Sequence, residues 1–225
     1  MAEASQTVHL YERLREGILS LALAPGEKLT ERGIEELYGA SRAPARAALM
    51  RLHGEGLVRR DGRGWRVAPI DLAEIRDLAE FREAVEAQAV RLAAERASDA
   101  DIAAVAELLE SARPVRDEEE GVRAGGDFHG ELARLSGNGF FADAVVAAMT
   151  RMSRTRWLEV RTPEAREQAW SEHRAVLDAV AARDGETAAL LVARHVRETN
   201  RRLLDVLDGQ HAMLRAHGVD VIAAP

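Results

Sequence analysis

Residues 30–67, TERGIEELYGASRAPARAALMRLHGEGLVRRDGRGWRV, decide the fold. Thr30 precedes Glu31 and Arg32 as an N-cap, a position where a hydroxyl takes one of the orphan N–H groups of a first helical turn. Ile34 and Leu37 follow at helical spacing, and Gly39 ends the helix near its C-terminus. Ser41 caps the next helix, with Pro44 in the first turn, where a missing N–H does no harm. Ala45, Ala48, Leu49 and Leu52 give that helix an apolar stripe. Two helices joined by a short glycine-containing turn read as a helix-turn-helix. Leu57–Arg60 and Trp65–Ala68 then read as two short strands, and Asp61-Gly62-Arg63-Gly64 as the hairpin turn between them. A hairpin placed directly after a helix-turn-helix is a wing.

Working outward, residues 7–21 place Leu10, Leu14, Ile18 and Leu21 on one helical face, and Ala24-Pro25-Gly26 stops that helix. Pro69 marks a boundary. Beyond Asp71 the pattern predicts helices near 71–97, 99–113, 121–136, 139–160, 164–183 and 186–208. The breaks are Pro114, the Gly121/Gly125/Gly126 region, Ser136-Gly137-Asn138-Gly139, Pro163 and Asp184-Gly185. The expected architecture is therefore mainly α. A winged helix-turn-helix of three helices and a two-stranded wing occupies residues 1–70, and an antiparallel six-helix bundle occupies 71–225. The acidic run Asp117–Glu120 reads as a solvated helix end, and the tail from His217 has no clear pattern.

Composition agrees. Hydrophobic residues make up 47% of the 225 and aromatics 4%, which supplies a core and favours helix over sheet. No apolar run is long enough to span a membrane. The opening MAEASQTVHL lacks a basic stretch followed by an apolar one, so no signal peptide is expected. With no cysteine, disulfides and thiolate metal sites are excluded, and a cytoplasmic protein is expected. The net charge of −7 hides an asymmetry. Residues 1–70 carry 11 basic and 9 acidic side chains, and the remainder carries 20 and 29. From Arg42 to Arg66 seven arginines face only Glu55 and Asp61. That stretch is either a solvated basic face making ion pairs or a nucleic-acid footprint.

The candidate DNA contacts cluster at the start of the second helix of the pair, the end that enters the major groove in helix-turn-helix proteins. Arg42 and Arg46 lie four residues apart on one face, suited to guanine O6 and N7 or to phosphate. Ser41 can bond a phosphate through its hydroxyl, and Arg63, flanked by Gly62 and Gly64, can reach the backbone or the minor groove. The segment from Leu10 to Val67 closely resembles the winged-helix domain of the GntR family of regulators. The matching residues are Pro25-Gly26, Leu29-Thr30-Glu31, Ser41-Arg42, Pro44, Arg46, Ala48-Leu49, Gly56-Leu57-Val58 and Gly64. The resemblance implies DNA contacts at Arg32, Arg42, Arg46 and the wing around Arg63 and Gly64. The chain departs from the family at Ala43 and Ala47, where threonine and glutamate are usual.

His129, His173 and His195 each lie on the inward side of a different helix of the bundle. A lone core histidine is ordinarily satisfied by hydrogen bonds, whereas three in one bundle suit a divalent metal. Asp127-Phe128-His129, Leu135-Ser136-Gly137-Asn138 and Glu172–Leu177 resemble the FCD effector domain of the FadR subfamily of GntR regulators. Many of its members hold a divalent metal, often zinc, with three histidines and an aspartate four residues before the first. Here that position is Gly125, and Asp127 falls about 200° round the helix from His129. Arg82 interrupts the apolar stripe of Ile75, Leu78, Val85, Ala89 and Leu92. A buried arginine needs an anion, either Glu86 four residues on or a bound effector carboxylate held bidentately. In the FCD domain, by resemblance, an arginine here faces the effector cavity.

The resulting expectation is a homodimeric, effector-controlled transcription regulator, a repressor, acting on a pseudo-palindromic operator and answering to a small anionic metabolite. Two other readings stand beside it. One is a metal-dependent enzyme using the three histidines, against which stands the absence of an H-E-x-x-H run or a Ser or Cys nucleophile beside a histidine. The other is a constitutive DNA-binding protein whose bundle only dimerises.

Overall fold

The computed structural model describes residues 2–111, 113, 118–156, 158–216 and 221–222. The chain forms two compact units, one of residues 1–72 together with 209–225, the other of residues 73–208.

The first unit opens with α1 (Ala2–Leu19), then β1 (Lys28–Leu29), α2 (Glu31–Tyr38), α3 (Arg42–Gly54), β2 (Val58–Asp61) and β3 (Gly64–Val67). Thr30 caps α2 as expected, accepting the Gly33 N–H at 3.0 Å, and Gly39 closes it in the left-handed region at φ 64°. Ser41 has the extended backbone of an N-cap, but its hydroxyl makes no capping bond. The expectation of a Ser41 side-chain cap is therefore not met. Leu10, Leu14 and Ile18 of α1 are buried with Ile34, Ala45, Ala48, Leu49 and Leu52. Full burial of each leucine or isoleucine is worth roughly 1.5–3 kcal/mol. That sum is what clamps α3 in place, since its own capping is weak. Leu21 falls outside α1, which stops at Leu19.

The wing is tighter and wider than the sequence suggests. Its turn is only Gly62-Arg63, with Gly62 at φ 58°, and Gly64 belongs to β3. A third strand, β1, pairs antiparallel with β3 through Lys28↔Arg66 and Leu29↔Trp65, giving the order β1-β3-β2 rather than a two-stranded wing. Two residues are too few to show a period, so β1 leaves no sequence signal. Val58 pairs with Val67, and Trp65 is fully buried beneath the sheet. Two further short strands, β4 (Ile70–Asp71) and β5 (Val221–Ile222), pair in parallel. The residues from Gly209 onward, read from sequence as part of the bundle domain, group with the first unit.

The second unit is built from α4 (Leu72–Arg96), α5 (Asp99–Ser111), α6 (Glu118–Arg134), α7 (Gly139–Arg156), α8 (Pro163–Ala181) and α9 (Gly185–Ala216). Thr162 caps α8 by accepting the Ala165 N–H at 3.2 Å, and Pro163 follows at the first helical position. The Ser136–Gly139 break holds, with Asn138 accepting the Phe140 N–H through Oδ1. The glycines of 121–126 do not break the chain. α6 runs straight through them from Glu118, and α7 ends at Arg156 rather than at 160. Each glycine costs about 1 kcal/mol in a helix, and packing outweighs that. The core gathers Val90, Ile102, Phe128, Leu132, Val176, Leu177, Val180 and Val192. The side chains of the acidic run expected as a solvated helix end, and most of the tail beyond His217, lie outside the described residues. No helix among the described residues is long and apolar enough to cross a membrane.

Candidate functional site

In the first unit the arginines at the start of α3 stand in solvent. Arg42 is 80% exposed and meets Glu35 at 3.3 Å, and Arg32 is 83% exposed and meets Glu36 at 2.8 Å. Exposed pairs of this kind contribute only about 0–1 kcal/mol, less than the ~1–3 kcal/mol of a bidentate base contact. They leave both guanidinium groups free to exchange partners. Arg46 and Arg63 are exposed and make no hydrogen bond or ion pair among the described residues. Ser41 is exposed as well, and Gly64 sits half-buried at the start of β3. Glu55, the carboxylate within the basic stretch, is engaged elsewhere. It accepts the Tyr11 hydroxyl at 2.5 Å and pairs with Arg15 at 3.2 Å and Arg51 at 3.7 Å. Arg59 and Arg60 are also exposed, and the Arg60 guanidinium lies 3.8 Å from the centre of the Trp65 ring.

In the second unit α6, α8 and α9 bring His129, His173 and His195 together. All three are buried, and one nitrogen from each lies within 4.8 Å of the others. His173 Nε2 and His195 Nε2 are 3.2 Å apart. Carboxylates hold the far side of two rings, Glu86 Oε2 at 2.7 Å from His129 Nδ1 and Glu172 Oε2 at 2.6 Å from His195 Nδ1. Phe128 stacks on His173 with ring centres 4.4 Å apart. Burial drives the His129 pKa down to about 3, against the pull of Glu86, so the ring is neutral with Nδ1–H donating to Glu86. His173 is also pushed well down, by burial first and then by its histidine neighbours. Burial opposes ionisation of Glu86, but Arg82 and His129 outweigh it and hold the carboxylate below its usual range. Burial opposes ionisation of Glu172 as well, but the hydrogen bonds from His195 and Gln168 and the charges of His195 and Arg202 together outweigh it and lower the carboxyl.

This donor set fits a divalent metal. Three imidazoles converge, and two of them are oriented by carboxylates behind the ring, as in carboxylate–histidine–metal triads. The position of the missing aspartate is filled differently. A Cβ built on Gly125 would stand 2.7 Å from Nη2 of Arg156, a buried residue at the end of α7. Asp127 is exposed, as its angle on the helix requires.

Arg82 is 3% exposed and donates from Nε to Glu86 Oε1 at 2.7 Å, with Nη2 3.4 Å from His129 Nε2. Of the two partners expected for it, the geometry supplies Glu86. Sequence reasoning did not single out Arg156 or Glu172. Glu172 precedes His173 in the quoted motif. Arg156 is one of several arginines late in α7, and nothing in the spacing separates it from exposed Arg151.

Comparison with known proteins agrees with both units. Residues 6–67 match the family model for bacterial regulatory proteins of the gntR family, and residues 77–198 match the FCD domain. An HTH-type transcriptional regulator in an unstable DNA locus of Streptomyces ambofaciens is 33% identical over 193 residues, covering 84% of this chain and 80% of that protein. The HTH-type transcriptional repressor RspR of Escherichia coli is 23% identical, covering 88% of each. A crystal structure of a GntR transcriptional regulator from Rhodococcus shares the fold, with a TM-score of 0.75 at 22% identity over 89% of this chain and 98% of that one.

Proposed function

Because the chain belongs to the GntR family of bacterial transcription regulators and carries an FCD domain, we propose that it is a homodimeric repressor whose grip on DNA is set by a small anionic effector in the helical unit. The observation that carries this reading is the free basic edge at the start of α3 and on the wing. Arg42 and Arg46 share a helix face there, next to Ser41, and Arg63 tops the hairpin. Two such edges related by a dimer axis suit the half-sites of a pseudo-palindrome. Arg32, exposed on α2, and the Gly64 backbone of the wing contact phosphate.

In the helical unit, His129, His173 and His195 hold a divalent metal, with zinc the best match to three imidazoles. The metal supplies a cationic centre able to take a ligand oxygen. The chain's own residues do the rest: Glu86 and Glu172 fix the ring tautomers, and Arg82 keeps Glu86 ionised and in place. An effector acts on DNA only through unequal affinity for DNA-competent and DNA-incompetent arrangements of the dimer. Selection of bound sequences from a random DNA pool, repeated with and without a library of small organic acids, tests the proposal. A palindromic motif whose binding falls with one acid supports it. Equal binding to all sequences would overturn it.

A further inference from the structure

Behind Arg42, the first residue of α3, stands a carboxylate of the preceding helix. We infer that Glu35 of α2 is a positioning residue for DNA reading, which grips Arg42 by Nε, turns the guanidinium fork toward a guanine edge and keeps it off phosphate. The inference rests on reading the start of α3 as the edge that reads DNA, and names what makes that edge selective.

Three observations carry it. The first is where Glu35 is anchored. Its carbonyl accepts the Gly39 N–H at 2.9 Å and so closes α2, and Gly39, at φ 64°, begins the turn that delivers Arg42. Ile34, its neighbour in sequence, is buried in the core of the unit. The carboxylate therefore stands on a fixed backbone at the start of that turn.

The second is the state of its oxygens. Oε1 is shielded from solvent and accepts no hydrogen bond, while Arg42 Nε stands 3.3 Å from it. A shielded acceptor left open calls for a donor. The ion pair is already in place, and rotation of the solvent-exposed guanidinium closes it into a hydrogen bond. The Glu35 side chain is 27% exposed, against 63% for Glu36, which pairs with Arg32 on the open surface. Glu35 thus loses less freedom in holding an arginine than a carboxylate of an ordinary surface pair does.

The third is what remains of Arg42. Arginine carries five N–H donors. With Nε turned to Glu35, Nη1 and Nη2 stay open, since neither makes a hydrogen bond among the described residues. That edge of the fork matches guanine O6 and N7. The carboxylate also repels phosphate, and the approach of DNA removes water from the pair, which strengthens attraction and repulsion alike. A repulsive element of this kind favours the base contact over the contact that carries no sequence information. Arg46 and Arg63, with no ion pair among the described residues, lack this bias.

An operator duplex selected from a random pool, its single-base variants and a duplex of unrelated sequence test the inference with the full-length protein. Wild type is expected to prefer G·C at least tenfold at the position that Arg42 reads, and Arg42→Ala to lose that preference. Glu35→Ala, its fold verified by cooperative melting, is expected to lower the same preference at least threefold and leave the other positions unchanged. Its binding to the unrelated duplex should tighten, and its salt slope should steepen by about one, as Arg42 turns to phosphate. Glu35→Gln keeps an acceptor for Nε and should retain more of the preference than Glu35→Ala. Glu35→Ala combined with Arg42→Ala should discriminate no worse than Arg42→Ala alone. An unchanged preference in Glu35→Ala, or an equal loss at every position, would overturn the inference while leaving the reading of α3 intact. An unchanged preference in Arg42→Ala would overturn both.

Discussion

Glu86 receives His129 Nδ1 on one carboxylate oxygen at 2.7 Å while Arg82 occupies the other at the same distance. The carboxylate thereby fixes the imidazole beside His173 and His195. Removing Glu86 would release that orientation and strand a buried guanidinium. Glu86→Gln is expected to weaken zinc binding about 10–100-fold, as loss of a carboxylate behind a ligating histidine does. Chelator competition measures it. Glu86→Ala should also destabilise the unit by about 3–5 kcal/mol, because Arg82 is left without its anion.

Arg82→Ala discriminates the two roles expected of this residue. With Glu86 as its partner, the substitution destabilises the helical unit by about 3–5 kcal/mol in urea unfolding. A direct effector ligand without a structural share would instead leave stability unchanged and abolish only the effector response.

The histidine cluster sets an acid limit. The folded-state pKa of His129 is lowered to about 3 and that of His173 is lowered as well, so the native state binds fewer protons than the unfolded chain. Their contribution to stability is complete above the unfolded value of about 6.5 and is lost as pH falls from there toward about 3. Metal retention should fall in the same direction, since protonated imidazole cannot ligate. Zinc release and urea midpoints across this range measure both.

Much of the architecture is legible in the sequence because its punctuation is local. Thr30, Gly39, Pro44, Asn138 and Thr162-Pro163 act within one turn of where they stand. What is illegible depends on distant contacts. The strand Lys28–Leu29 exists only because β3 is there to pair with it. α6 survives Gly121, Gly125 and Gly126 because Phe128 and Leu132 are buried in the core beyond them. The histidines are legible as a set because each sits in phase with apolar neighbours. Arg156 is not, because its significance comes from an absent side chain on another helix.

Leu49→Ala should cost about 2–5 kcal/mol, since Leu49 is fully buried between α1 and α3. Denaturation followed at Trp65, in the same unit, measures it. Zinc affinity of the helical unit should not change.

Arg63→Ala, at the tip of the wing, should weaken binding to all DNA sequences alike and lower the salt slope by about one, the signature of a lost phosphate contact.

In the proposed function the start of α3 reads DNA, and fluorescence anisotropy with a selected operator duplex measures this. Wild type, Arg42→Ala and Arg46→Ala are titrated against that duplex and against single-base variants at several salt concentrations. A loss of about 1–3 kcal/mol is expected for each substitution that removes a base contact, with discrimination relaxed at one position of each half-site. Unchanged operator affinity and unchanged discrimination in both variants would contradict it.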